Sequence, residues 1–324
     1  MGKGNFKRKV IVGTISILCI FTACKNATSP NNHQSVSPKT TQKSKPKTEN
    51  FPFPIIPEIL TAPEDRKAYL LTHYWEQFDF ADTVLINNRD VTEQGFVNFI
   101  ALLADGTTPE KLTKESLGNW CNRFLTSTHA RKVLTNIADN YLYNPNSPFY
   151  NERLYGLYLQ TLLDKLPKED ALRSSYNFRL QLVKRNNPGN TATDFTYYLA
   201  DGQKKSLQST PIKGDYLLLL FYDPECDSCH KALLEMTADK QLAKAIRAGK
   251  LSVLAIYTEG NEEVWRKALP DLPQSWMTGT DREAVKLGAL YDLKAMPSLY
   301  LLDQKKQVIL KDAAYEAIRQ ILDF

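Results

Sequence analysis

Two cysteines separated by two residues are the groups in this chain best suited to chemistry: Cys226-Asp227-Ser228-Cys229-His230. A thiol pair at that spacing can close into a disulfide and reopen by thiolate exchange. The same letters serve other ends. C-x-x-C-H is the signature of covalent haem attachment. A structural zinc site needs four ligands, and the chain has neither a second C-x-x-C nor a close histidine pair. A purely structural disulfide is open to any protein in an oxidising compartment. Position separates these readings. Residues 216–222, Tyr-Leu-Leu-Leu-Leu-Phe-Tyr, form an apolar run of the kind expected for a strand buried on both faces. A helical run over 231–236 follows the cysteines, so the pair falls between a central strand and a helix, whereas haem sites sit beside a helical wrap.

The elements around the pair can be read in order. Residues 192–195 and the turn Asp201-Gly202 suggest an opening hairpin. Residues 251–257 are a second buried strand. Helical segments are expected at 261–269 and 282–291. Met296-Pro297-Ser298 leads into a strand at 299–302, a turn at 303–306 leads to a strand at 308–310, and a helix over 313–322 closes the chain.

With these elements in this order, residues 188–324 resemble the thioredoxin superfamily, and within it the membrane-tethered, TlpA-like thiol–disulfide oxidoreductases. The motifs that carry the resemblance are the C-x-x-C between strand and helix, the Met296-Pro297 pair before a later strand, and the long gap between them, which suits the insertion of that branch. The resemblance implies an α/β thioredoxin-like fold and a dithiol, Cys226 and Cys229, with no further cofactor and no metal. A helix N-terminus favours an anion, so the Cys226 thiolate would attack a substrate disulfide and Cys229, a turn further on, would resolve the mixed disulfide. By resemblance Pro297 is cis and lies against the pair, and the Met296 backbone pairs with an extended substrate segment.

Departures from the pattern change the expected chemistry. Glu225 stands where a Trp commonly precedes the first cysteine, Asp227-Ser228 replace the familiar Gly-Pro, and Leu220 occupies a strand position where thioredoxins often bury an Asp. Asp223, Glu225 and Asp227 crowd the site with negative charge, which is expected to oppose the helix dipole and disfavour the Cys226 thiolate, while a protonated His230 would offset it. Glu225, Asp227 and His230 are therefore expected to tune the pair, and a reductant or isomerase is expected rather than a strong oxidant. A peroxidase of the peroxiredoxin type would place a Thr where Tyr222 and Asp223 stand.

Residues 51–187 have helical period throughout. Thr61-Ala62-Pro63-Glu64 reads as a capping box before a helix over 66–78, and Asp90-Val91-Thr92-Glu93 as the cap of one running to 103. Leu117, Trp120, Cys121, Phe124 and Leu125 share a face. Ala130, Val133, Leu134, Ile137, Ala138, Tyr141 and Leu142 form a stripe at i, i+3, i+4, i+7, and helices are expected at 151–166 and 169–186. This part holds no H-E-x-x-H, G-x-S-x-G or phosphate-binding glycine loop. His73 and His129 read as lone histidines on helices and Cys121 as a buried inert thiol. The stretch 73–103 resembles a helical domain of unknown function that precedes thioredoxin-like domains in bacterial lipoproteins. The aromatic residues suggest that this domain positions or recruits a substrate.

The chain starts with Lys3, Lys7, Arg8 and Lys9, a twelve-residue apolar stretch too short to span a bilayer, and Phe21-Thr22-Ala23-Cys24. Residues 1–23 read as a secretory signal. The cysteine after Ala23 resembles the lipobox of bacterial lipoproteins, which implies acylation of Cys24. Residues 24–50 are polar, lysine- and proline-containing, and read as a disordered tether. These two segments carry a net charge of +8. The chain carries +5 in all, yet residues 51–324 carry −3, which argues against a nucleic-acid binder. The expectation is a signal peptide (1–23), a tether (24–50), an α-helical N-terminal domain (51–187) and an α/β thioredoxin-like domain (188–324). The chain would act on protein thiols and disulfides in the extracytoplasmic space, anchored by lipid at Cys24 to a bacterial membrane, the outer one facing the periplasm, and fed by an upstream thiol donor. The alternative is a non-catalytic binding or scaffold lipoprotein whose thioredoxin-like module carries a structural disulfide.

Overall fold

The computed structural model describes residues 50–322; the expected signal segment, Cys24 and nearly all of the tether lie outside them. Seven helices come first: α1 (Pro63–His73), α2 (Thr83–Asn87), α3 (Arg89–Ala104), α4 (Glu110–Phe124), α5 (Thr128–Ala138), α6 (Glu152–Lys165) and α7 (Arg173–Lys184). Their apolar stripes close on one core that includes Trp75, Phe96, Phe99, Leu117, Trp120, Phe124, Leu134, Tyr155 and Tyr158. The aromatic residues are its bulk. Trp120 alone lies within about 6 Å of the rings of Trp75, Phe96, Phe124 and Tyr158. These buried rings are packing groups, while Phe53 and Phe178 are exposed. Cys121 is fully buried among them.

Both expected caps are corrected. Pro63, which has no N–H to satisfy, takes the first position of α1, so Ala62 rather than Thr61 precedes it and the Thr61–Glu64 capping box does not form. Helix α1 ends at His73, short of residue 78. Helix α3 begins at Arg89, upstream of the expected Asp90 cap. The unforeseen α2 causes this, because Asp82 caps α2 through the N–H groups of Val84 and Leu85 and Asn88 both ends α2 and starts α3. Glu93 serves instead as a partner for Arg89 and the Tyr141 hydroxyl. Helix α5 continues into a π-helical turn, Asp139–Tyr143, which re-aims Tyr141 and Tyr143. Helix α7 starts at Arg173, four residues later than expected.

The second half is built on a seven-stranded mixed sheet with strands β1 (Thr196–Tyr198), β2 (Lys204–Ser206), β3 (Tyr216–Tyr222), β4 (Leu251–Tyr257), β5 (Met277–Thr280), β6 (Ser298–Asp303) and β7 (Val308–Leu310), in the order β2-β1-β5-β4-β3-β6-β7. β3 is an inner strand beside the central β4, parallel to β4 and antiparallel to β6, with Leu219 beside Leu254 on one side and Tyr300 on the other. Alternation along β3 sorts its side chains: Leu218, Leu220 and Tyr222 enter one core, Leu217, Leu219 and Phe221 the other. The first core is covered by α8 (Asp227–Ala238), α9 (Lys240–Arg247), α10 (Glu262–Ala268) and α12 (Tyr315–Leu322); the second takes Val285 of the short α11 (Ala284–Leu287) and Tyr291. α9 and β5 were not expected. The four-residue β5, with Thr278 and Gly279 at its centre, lacks an apolar run and is a strand because β4 pairs with it. Helix α8 begins four residues before the expected helical run.

Candidate active site

The strand order brings β3, the start of α8 and the segment before β6 to one end of the sheet. Beyond β3 the chain turns at Asp223–Glu225: Asp223 Oδ1 accepts the Glu225 N–H (3.0 Å), and Asp223 O accepts the Cys226 N–H (3.2 Å). Cys226 is the N-cap of α8, extended in backbone, and its carbonyl accepts the first helical bond from His230 (3.0 Å). Its sulfur thus sits at the positive end of a twelve-residue helix. Cys226 is half-buried, while Cys229, on the inward face of α8, has no exposed surface. The Asp223 N–H donates to the Cys229 sulfur at 3.4 Å.

The Met296–Pro297 peptide bond is cis. It places the Met296 carbonyl oxygen over the start of α8, where it accepts the Ser228 hydroxyl proton at 2.7 Å and faces the Cys226 thiol at 3.8 Å. Ser228 Oγ lies 2.9 Å from the Cys226 sulfur. A hydroxyl has one proton and two lone pairs. While Cys226 is a thiol, Ser228 can give its proton to Met296 and accept from the S–H. When Cys226 ionises, the same hydroxyl can turn to the sulfur. Ser228, absent from the residues expected to tune the pair, is the polar group that connects the thiol to the cis-proline segment. Its side-chain type was visible between the cysteines, but nothing in the sequence marked Met296 as its partner.

Electrostatics divide the two thiols. The Cys226 thiol is held below its ordinary value, chiefly by the Ser228 hydroxyl and then by the Cys229 backbone. Burial pushes the Cys229 thiol up to about 12. The expectation that acidic neighbours raise Cys226 is therefore corrected. Glu225, Asp227 and His230 are exposed, and none of them is among the largest influences on the Cys226 thiol. Asp223 acts on Cys229 instead. Leu220 is buried on the Cys229 side of the sheet, so β3 supplies no carboxylate beneath the pair. Tyr222 lies there, with its hydroxyl buried and unpartnered. Among the described residues no three His, Cys, Asp or Glu side chains are grouped to hold a metal ion, and no helix is long and apolar enough to cross a membrane.

A dithiol at a helix start, one thiol accessible and one buried, beside a cis-proline on a mixed sheet, defines a thioredoxin-like domain with the geometry of thiol–disulfide exchange. Residues 203–317 match the thioredoxin-like domain family and residues 23–186 match a domain of unknown function, DUF5106. The chain belongs to the DUF5106 family, with a thioredoxin-like domain at its C-terminal end. It is similar to a thioredoxin-like protein from Bacteroides caccae, at 36% identity and a TM-score of 0.73 over 86% of this chain and 99% of that one. The C-terminal domain of an uncharacterized protein from Bacteroides fragilis is 37% identical over 43% of this chain and 99% of its own, with a TM-score of 0.41. A domain of a possible thiol-disulfide isomerase from Cytophaga hutchinsonii is 25% identical over 43% of this chain and 92% of its own, with a TM-score of 0.37. No curated protein matches the chain.

Proposed function

We propose that this protein is a thiol–disulfide oxidoreductase acting on protein disulfides in the extracytoplasmic space, tethered to a membrane by lipid on Cys24. The observation that carries the catalytic reading is the pairing of an accessible, acidified Cys226 with an enclosed Cys229 beneath the Met296 carbonyl. The Cys226 thiolate attacks one sulfur of a substrate disulfide. A Cys226–substrate bond forms, and the other substrate sulfur leaves as a thiolate. Cys229, giving up its proton, then attacks the Cys226 sulfur and expels the second substrate thiolate. The substrate gains two electrons and the protein keeps the Cys226–Cys229 disulfide, which an upstream thiol donor reduces. Run backwards, the same steps oxidise a substrate. The sequence favours a reductant or isomerase over a strong oxidant, and the potential decides the direction.

The test is a redox titration of the full chain, read by thiol alkylation and mass. A reversible two-electron couple at Cys226 and Cys229 well above roughly −300 mV is expected. A pair more reducing than that, or one that never cycles, would mark a structural disulfide and return the chain to the binding or scaffold reading. Covalent haem would show in the same spectra as added mass.

A further inference from the structure

The segment that delivers Met296 is held from behind by the helical domain. Leading into it, the Ala289 carbonyl accepts from Arg185 and the Leu290 carbonyl accepts the Asn186 amide at 2.8 Å. Both Asp292 carboxylate oxygens accept the Tyr143 hydroxyl at 2.9 Å. Lys294, two residues before Met296, extends its ammonium to Asp292 (2.9 Å) and to Glu152 at the start of α6 (3.1 Å), over the rings of Tyr143 and Tyr150. The other Glu152 oxygen takes Lys311 at 3.0 Å, and Lys311 also donates to the Val183 carbonyl and the Asn187 side chain. Asp312 accepts the Ser298 hydroxyl at 2.6 Å on the far side of Pro297. These groups are enclosed: the side chains of Lys294, Asp292 and Lys311 are 5%, 5% and 4% exposed.

We infer that the helical domain is a positioning clamp for the cis-proline segment, with Tyr143 and Glu152 as the residues that grip it. The inference deepens the proposed exchange reaction and rests on that reading for its biological meaning. Burial works against an ammonium at Lys294, and Glu152 with Asp292 overcomes it, so the lysine stays charged and bound. A buried ion pair with several partners fixes geometry more surely than it adds stability, and losing one partner leaves the other charge uncompensated. Only three residues of chain separate Asp292 from Met296, so the clamp sets where the Met296 carbonyl stands. That carbonyl takes the Ser228 proton and lies opposite the Cys226 thiol, and both contacts favour the protonated sulfur. Loosening the clamp frees the Ser228 proton for the thiolate. Tyr143 and Glu152 touch neither cysteine; they act through the loop.

The test is the pH profile of Cys226 alkylation by iodoacetamide in the full chain, read by mass. The charged groups around the pair (Asp223, Glu225, Asp227, His230 and Cys229) are the same in every variant. Glu152→Gln and Tyr143→Phe are each expected to move the profile midpoint down by about half a unit, roughly a threefold gain in thiolate at pH 7. In a Ser228→Ala background each shift should shrink to less than half, because the Ser228 proton is gone and only the 3.8 Å contact of the Met296 carbonyl with the thiol is left to relax. Asp170→Asn, which breaks the Arg131–Asp170 pair elsewhere in the helical domain, should destabilise without moving the midpoint. If Glu152→Gln and Tyr143→Phe lower stability while both midpoints stay at the wild-type value, the contacts only join the domains and the clamp is refuted. Alkylation needs only a thiol, so failure of the exchange reading in the redox titration would leave this outcome separate. Should Glu152→Gln fail to fold, Tyr143→Phe keeps the ring and its packing and decides the matter alone.

Discussion

Removing the Ser228 hydroxyl tests the site at its smallest part. Ser228→Ala leaves the helix, the turn and both sulfurs in place and deletes one exposed polar group that lies 2.9 Å from Cys226. A hydrogen bond to a charged group contributes about 1.5–3 kcal/mol when enclosed, and about 1 kcal/mol is reasonable for a pair this open to water. At 1.36 kcal/mol per unit, the Cys226 thiol should rise by about 0.7 of a pKa unit. Nucleophilicity rises with basicity by a Brønsted slope of about 0.4–0.5, so two effects oppose. At pH 6 the thiolate population falls about fivefold while each thiolate becomes about twice as reactive, a net loss of roughly 2.4-fold in alkylation rate. Above both pKa values only the second effect remains, and the variant should react about twice as fast as wild type. The two pH–rate profiles must therefore cross. Iodoacetamide kinetics from pH 5 to 10, with Cys226 followed by mass, give the answer. Profiles that superimpose, or a variant slower at every pH, would show that Ser228 does not stabilise the thiolate.

Two other outcomes follow from groups at and beyond the site. Asp281 is buried, with one carboxylate oxygen accepting the Val285 N–H and the other unpartnered, and burial pushes its pKa up to about 6. The folded chain then keeps a proton that the unfolded chain has lost, so stability falls as pH rises from about 4 to about 6, and the whole cost, at most about 3 kcal/mol, is in force above that. Asp281→Asn keeps an acceptor for Val285 and carries no charge, so its urea midpoints should change less than those of wild type between pH 4.5 and 6.5 and exceed them at pH 7; an unchanged slope would assign the effect to other groups. At the other end of the chain, Cys24→Ala should lose incorporation of labelled fatty acid and leave the membrane fraction. Retained label would place the lipid elsewhere or show that there is none.

The sequence was sufficient for the layered core and for the dithiol's setting, because both are written in local patterns. A seven-residue apolar run such as 216–222, too short for a buried helix and followed by Asp-Pro, reads as a strand covered on both faces, and the C-x-x-C just after it falls at the next helix start. The stripe from Ala130 to Leu142 closed on the helical core by the same logic, since periodicity counts neighbours along one face of one element. Polar partnerships have no period. Thr61, Asp90 and Glu93 matched capping patterns, yet Pro63, Asp82 and Arg89 decided the helix starts or claimed the partners. Three acidic residues beside Cys226 suggested a raised thiol, but in the fold they turn to solvent or toward Cys229. Ser228 meets a carbonyl 68 residues away, and Lys294 meets a carboxylate 142 residues away in another domain. Contacts at such separations exist only once both cores have packed and brought the two backbones together. The sequence therefore determined which groups could react, and the tertiary structure decided which protons and charges those groups face.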